Sequence, residues 1–225
     1  ALIRWVHPQR GLMFPRDFVP IAEDCGLMVP IGHWVLREAC TQARVWIDEG
    51  RRPMAVAVNI SAVEFMDPAF LENVRSVLDD RRLDPRYLEL ELTESSLIQD
   101  AESTARLLQS LTGMGVQLAI DDFGTGYSSL SYLRQFPINV LKIDQSFVHE
   151  ISADPVGTSI VGAVISMGKS LGHRVIAEGV ETAEQFAFLQ AQRCSEGQGN
   201  YFSQPLPAEQ FIRLLESAYR DGSVN

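Results

Sequence analysis

Val116-Gln117-Leu118-Ala119-Ile120-Asp121-Asp122-Phe123-Gly124-Thr125-Gly126 is an aliphatic run that ends in two adjacent carboxylates and then breaks at glycines. The run Val116–Asp121 reads as a buried strand, and its acids stand at the strand's C-terminal end. On either side lie amphipathic stretches that read as helices, Ala101–Met114 before it and Ser129–Gln135 after it. Working outward, the same alternation recurs. Strands are predicted at Ala55–Ile60, Tyr87–Leu92, Val140–Ile143 and Arg174–Ala177, and a weaker one at Gly199–Ser203. Helices are predicted at Pro68–Arg82, Val156–Leu171, Ala183–Gln192 and Ala208–Tyr219, with Arg16–Cys25 and Ile31–Asp48 ahead of the first strand. Strands alternating with helices in this way build a parallel sheet in an α/β fold. Thr182 with Gln185 three residues on predicts a capping box, and Asp67-Pro68 predicts proline at a first helical position.

Alternation alone does not choose between an open sheet and a closed barrel, but the strand ends do. Asn59, Glu91, Glu94, Asp121, Asp122, Lys142, Asp144 and Glu178 each end a strand or directly follow one. In a parallel barrel such groups converge on one mouth, where barrel active sites sit. A dinucleotide-binding open sheet fits worse, since Gly124-Thr125-Gly126 lacks the third glycine of the G-x-G-x-x-G turn. The sequence shows no internal repeat and no linker, so one domain over 1–225 is the simpler organisation.

The composition excludes several classes. A net charge of −10 argues against a broad basic face for duplex nucleic acid. The three cysteines are far apart and form no C-x-x-C pair, which suggests buried reduced thiols in a cytoplasmic protein rather than disulfides or zinc. No apolar run reaches the roughly 20 residues of a membrane-spanning helix. Serine, cysteine and P-loop signatures are absent, and His7, His33, His149 and His173 show no metal-ligand spacing.

The mouth has its own chemistry. Asn59, Glu91 and Asp121 are oxygen donors from three successive strands, with Asp122 adjacent, and hard oxygen ligands suit Mg²⁺ or Mn²⁺. The Asp121-Asp122 pair is what a two-ion site needs, one carboxylate bridging and its neighbour holding the second ion, and such pairs of ions act on phosphodiesters. Lys142 could orient a water or hold a phosphate oxygen, Glu178 is placed as a general base, and Glu181 could bind the second ion or a group behind it. Glu94 could anchor the glycine loop that begins at Asp122, a loop able to cover or position a ligand.

These residues closely resemble the EAL domain family of cyclic di-GMP phosphodiesterases. The matching stretches are Ala1-Leu2-Ile3-Arg4-Trp5, Val58-Asn59-Ile60-Ser61, Glu91-Leu92-Thr93-Glu94-Ser95, Asp121 to Gly126, Leu141-Lys142-Ile143-Asp144, Glu178-Gly179-Val180-Glu181 and Gln198-Gly199. The resemblance implies a TIM-like (β/α)8 barrel that hydrolyses cyclic di-GMP to linear pGpG with two Mg²⁺ or Mn²⁺ ions. It implies Asn59, Glu91, Asp121 and Asp122 as metal ligands, Glu178 as general base and Lys142 as the lysine that orients the water. Arg4 is similar to the family arginine that grips a substrate phosphate, Gln198 to a substrate-side residue, Glu181 to a supporter of the metal site and Glu94 to the loop anchor.

Two departures accompany the resemblance. The glutamate that opens the family's namesake motif would stand immediately before Ala1, and the preceding strand is also missing, so the domain is expected to be N-terminally incomplete. Asn200 stands where the family usually has tyrosine, with Tyr201 next to it. The family further implies fused regulatory or cyclase-like domains, a homodimer and a parent protein that can be membrane-anchored. A non-catalytic cyclic di-GMP receptor is the alternative reading, and a hydrolase of another phosphodiester is a third.

Overall fold

A computed structural model describes residues 1–97, 100–125, 130–151 and 155–220. The chain opens with a hairpin, β1 (Trp5–His7) and β2 (Gly11–Met13), paired antiparallel, and continues into helices α1 (Pro15–Asp24) and α2 (Met28–Asp48). Then β3 (Val56–Ile60), α3 (Ala62–Phe65), α4 (Phe70–Arg81), β4 (Leu88–Thr93), α5 (Ala101–Met114) and β5 (Gln117–Phe123) follow. The second half comprises α6 (Leu130–Gln135), β6 (Val140–Ile143), α7 (Gln145–Glu150), α8 (Pro155–Ser170), β7 (Arg174–Ala177), α9 (Ala183–Ala191), β8 (Glu196–Gly197) and α10 (Ala208–Arg220).

Strands β3 to β8 form one six-stranded parallel sheet in unbroken sequence order. Each strand pairs with the next one in the chain, as in a TIM-like barrel, and no strand order reverses as it would in a doubly wound sheet. The residues that alternate along each strand separate two environments. Val58, Ile60, Leu88, Leu90, Leu92, Leu118, Ile120, Leu141 and Ile143 are all buried on the helix-covered side. That continuous aliphatic layer explains why these strands are legible as hydrophobic runs. On the other side, Asn59 is in register with Glu91, Glu91 with Ala119, Ala119 with Val140 and Val140 with Arg174. One face of the sheet is therefore the core under the helices, and the opposite face collects the polar side chains.

Several predicted boundaries shift. The strand expected at Gly199–Ser203 is instead Glu196–Gly197, because the chain turns after it: Tyr201 N–H donates to the Val180 carbonyl and Phe202 N–H to that of Gly199. Proline does not open α4. Asp67 Oδ1 accepts from Ala69 N–H at 2.8 Å, making a turn around Pro68, and the helix starts at Phe70. The Thr182–Gln185 capping box is present. The hairpin and the short helices α3 and α7 carry no signal among the predicted elements. The predicted helix at Ser129–Gln135 corresponds to α6, its residue 129 lying outside the described residues. No described helix is long and apolar enough to cross a membrane.

The thiols differ from the expected uniform burial. Cys25 is exposed, Cys194 half-buried and Cys40 buried within α2. Burial pushes the Cys40 thiol up to about 12, with the Arg81 charge pulling weakly the other way. Thiolates are the reactive species. A thiol reagent at pH 8 is thus expected to modify Cys25 rapidly and leave Cys40 silent until denaturant is added. Mass mapping of the labelled peptides checks this, and fast native labelling of Cys40 would contradict its packing.

Candidate active site

The polar face gathers around Lys142. Its ammonium is 2.7 Å from Glu91 Oε1, 3.0 Å from Asp121 Oδ1 and 2.7 Å from Glu178 Oε1. Lys142 is 3% exposed, so three carboxylates from β4, β5 and the end of β7 meet a buried cation from β6. Burial alone acts to lower the lysine's pKa. The charges of Glu91, Glu178 and Asp121 outweigh it, and the net shift is upward, so the ammonium stays charged.

A regular strand turns successive side chains to opposite faces, so Asp121 and Asp122 should not both reach the mouth. A bulge resolves this. Ile120 pairs with Leu141 and Phe123 with Ile143, which leaves Asp121 and Asp122 opposite Lys142 alone. Asp122 takes φ = +52°, a left-handed conformation that aspartate tolerates better than most residues. Single carboxylate oxygens of Asp121, Asp122 and Glu178 consequently lie within 4.8 Å of one another. Such a set of hard oxygen donors fits a divalent cation.

Asp122 has its carboxyl raised to about 6, first by burial and then by Asp121 and Asp144. It faces Asp144, whose own carboxyl is lowered despite burial by hydrogen bonding with Ser146 and with Asp122. Asp144 also caps α7 through Ser146 N–H at 3.0 Å. Asp144 belongs to the site by this contact. Its strand-end position two residues after Lys142, within the Leu141-Lys142-Ile143-Asp144 stretch, was the signal for it in the sequence.

Glu178 is raised to about 7, first by burial, with Lys142 lowering and Asp121 raising it. Gln198 Nε2 donates to its Oε1 at 3.4 Å. The turn after Glu178 requires its glycine. Gly179 has φ = +67°, and a Cβ there would stand 2.5 Å from Gln145 Cβ.

An EAL domain family model matches residues 1–205. The chain belongs to the EAL domain family. Among its relatives, the bifunctional diguanylate cyclase/cyclic di-GMP phosphodiesterase MucR of Pseudomonas aeruginosa is 46% identical over 212 residues, 94% of this chain and 31% of that protein. Cyclic di-GMP phosphodiesterase PdeR of Escherichia coli is 43% identical over 213 residues, 95% of this chain and 32% of that protein. The EAL chain here thus spans about a third of these curated relatives. Among solved structures, the PaMucR phosphodiesterase in its c-di-GMP complex superposes with a TM-score of 0.91 at 46% identity, covering 94% of this chain and 85% of that one. The P. aeruginosa FimX EAL domain bound to c-di-GMP gives 0.82 at 25% identity, covering 91% and 81%.

The remaining EAL positions lie at various distances from the carboxylates. Asn59 is exposed on β3, in register with Glu91. Glu94 is buried in the turn after β4, and its Oε2 accepts from Gly124 N–H at 3.4 Å, where the glycine loop begins. Residues 126–129 of that loop lie outside the described residues. Glu181 turns towards α7, with Oε2 3.7 Å from His149 Nε2. Arg4 stacks its guanidinium 4.8 Å above the Phe14 ring and donates to the Ile3 carbonyl. Ala1 reaches β3, its amino group donating to the Ala57 carbonyl.

Proposed function

We propose that this EAL domain hydrolyses cyclic di-GMP to linear pGpG with two Mg²⁺ or Mn²⁺ ions. The observation that carries the reading is the convergence of Glu91, Asp121, Asp122 and Glu178 around Lys142 in a single mouth. Four carboxylates facing one ammonium leave the site short of positive charge, and a diester phosphate could not approach it unaided. Divalent ions held there supply that charge and make a bound water a better nucleophile.

The chain's own groups have separable tasks. Asn59, Glu91, Asp121 and Asp122 hold the cations, the bulge at Asp121-Asp122 providing two adjacent carboxylates on one side. Glu178 accepts the proton of the attacking water, its carboxylate standing within reach of Asp121 and Asp122 at the mouth. Lys142 fixes Glu91, Asp121 and Glu178 in mutual register and orients the water. Arg4 and Gln198 bind the substrate, Glu181 supports the site from the α7 side, and Glu94 holds the loop through Gly124. Fused regulatory or cyclase-like domains belong to the same reading, since the relatives are about three times as long as this chain, and a homodimer is the assembly that the family resemblance adds to it.

The test incubates residues 1–225, and the same chain extended upstream with glutamate before Ala1, with cyclic di-GMP and Mn²⁺ or Mg²⁺. Chromatography should show pGpG that disappears with EDTA. Binding without any product, with both metals tried, would make the domain a cyclic di-GMP receptor instead.

A further inference from the structure

The geometry points to Lys142 as a resident counter-ion that competes with divalent cations for the mouth and holds their affinity down. This inference rests on the metal reading above and concerns how strongly the site fills. Lys142 Nζ already occupies one oxygen on each of Glu91, Asp121 and Glu178, at 2.7, 3.0 and 2.7 Å. Two of these three, Asp121 and Glu178, also belong to the oxygen triad that fits a cation. A cation taken by Asp121 or Glu178 would share that carboxylate with the ammonium.

Two consequences oppose each other. Without a cation, Lys142 neutralises carboxylates that are otherwise crowded and buried, and losing it leaves uncompensated charge. With a cation, the same ammonium repels it. A unit charge and a divalent ion about 5 Å apart repel by more than a tenfold change in affinity is worth even at water-like dielectric. The lysine thereby stabilises the site between occupancies and makes its filling responsive to the free cation concentration.

A purely positioning lysine predicts the opposite sign. If Lys142 only held Glu91, Asp121 and Glu178 in ligating geometry, removing it would loosen cation binding. The two ideas separate in one titration.

Mn²⁺ is titrated into wild-type protein and the Lys142→Met variant, with free Mn²⁺ followed by electron paramagnetic resonance. We expect the variant to bind Mn²⁺ on the order of tenfold tighter or more. We also expect its melting temperature to lie below wild type in EDTA and to rise by more than the wild type's when Mn²⁺ is added. Lys142→Gln, which keeps a donor for one carboxylate, replaces it if Lys142→Met does not fold. Wild-type binding with equal or weaker binding by the variant overturns the competition and leaves the metal reading standing. Absence of Mn²⁺ binding by both proteins overturns the two together.

Discussion

Replacing Glu178 by glutamine is expected to lower cyclic di-GMP turnover by about 10²- to 10⁴-fold, the usual contribution of a positioned base, while substrate binding is kept. Glutamine preserves the side chain's shape and its contact with Gln198, which lies 3.4 Å from Oε1, but it cannot take a proton. Calorimetric binding of cyclic di-GMP alongside single-turnover kinetics separates the two effects. Turnover within a few-fold of wild type would remove Glu178 from the role of base.

The same substitution has a second readout in EDTA. Burial raises the Glu178 carboxyl from 4.5 to about 7, so the folded protein holds this proton more tightly than the unfolded chain does. A carboxyl raised in this way lends stability that is fully present below pH 4.5 and lost as pH climbs to about 7. Glutamine has no proton to lose. Relative to wild type, the variant should gain stability between pH 4.5 and 7, by up to about 3 kcal/mol, measurable by urea denaturation across that range. A flat difference would mean that the Glu178 carboxylate is better solvated, or better paired with Lys142, than its burial indicates.

The sequence revealed the parallel order because each long strand buries an aliphatic face under helices, and a buried face writes itself as a run of Val, Leu and Ile. Glu91, Asp121, Asp122, Lys142 and Glu178 were visible for the complementary reason, as polar residues breaking such runs at the same end. What was hidden depends on backbone contacts made at a distance. Strand β8 is only Glu196–Gly197, too short to carry a period, and the three-residue strands of the hairpin carry none either. The bulge at Asp121-Asp122 is invisible because its cause lies in the pairing with β6. Side-chain partners were equally out of reach. The ion pairs of Lys142 with Glu91, Asp121 and Glu178, and the contact of Asp144 with Asp122, depend on how the strands stack rather than on local spacing.

The Gln198-Gly199 pair shows how a short motif can be decided by backbone packing, and Gly199→Ala should be among the most damaging single changes in the domain. A Cβ at Gly199 would lie 2.1 Å from the Val180 carbonyl oxygen, 2.3 Å from its nitrogen and 2.7 Å from its carbonyl carbon. All three are main-chain atoms, so no rotamer change relieves the overlap. The backbones must separate, and they are joined by hydrogen bonds from Val180 N–H to Gln198 O at 3.0 Å and from Tyr201 N–H to Val180 O at 2.9 Å. Opening this seam adds lost hydrogen bonds to the cost of overpacking, so a loss of about 3 kcal/mol or more is expected. It also withdraws Gln198 from Glu178, so turnover should fall with stability. Gly113→Ala provides the control. A Cβ at Gly113, inside α5, meets nothing within 4 Å, and alanine in a helix is favoured over glycine by up to about 1 kcal/mol. Urea midpoints should therefore move in opposite directions for two substitutions of identical chemistry. Equal midpoints would mean that the Val180–Gly199 seam yields in solution, and the motif's glycine would then need a different explanation, most directly a close approach by the substrate.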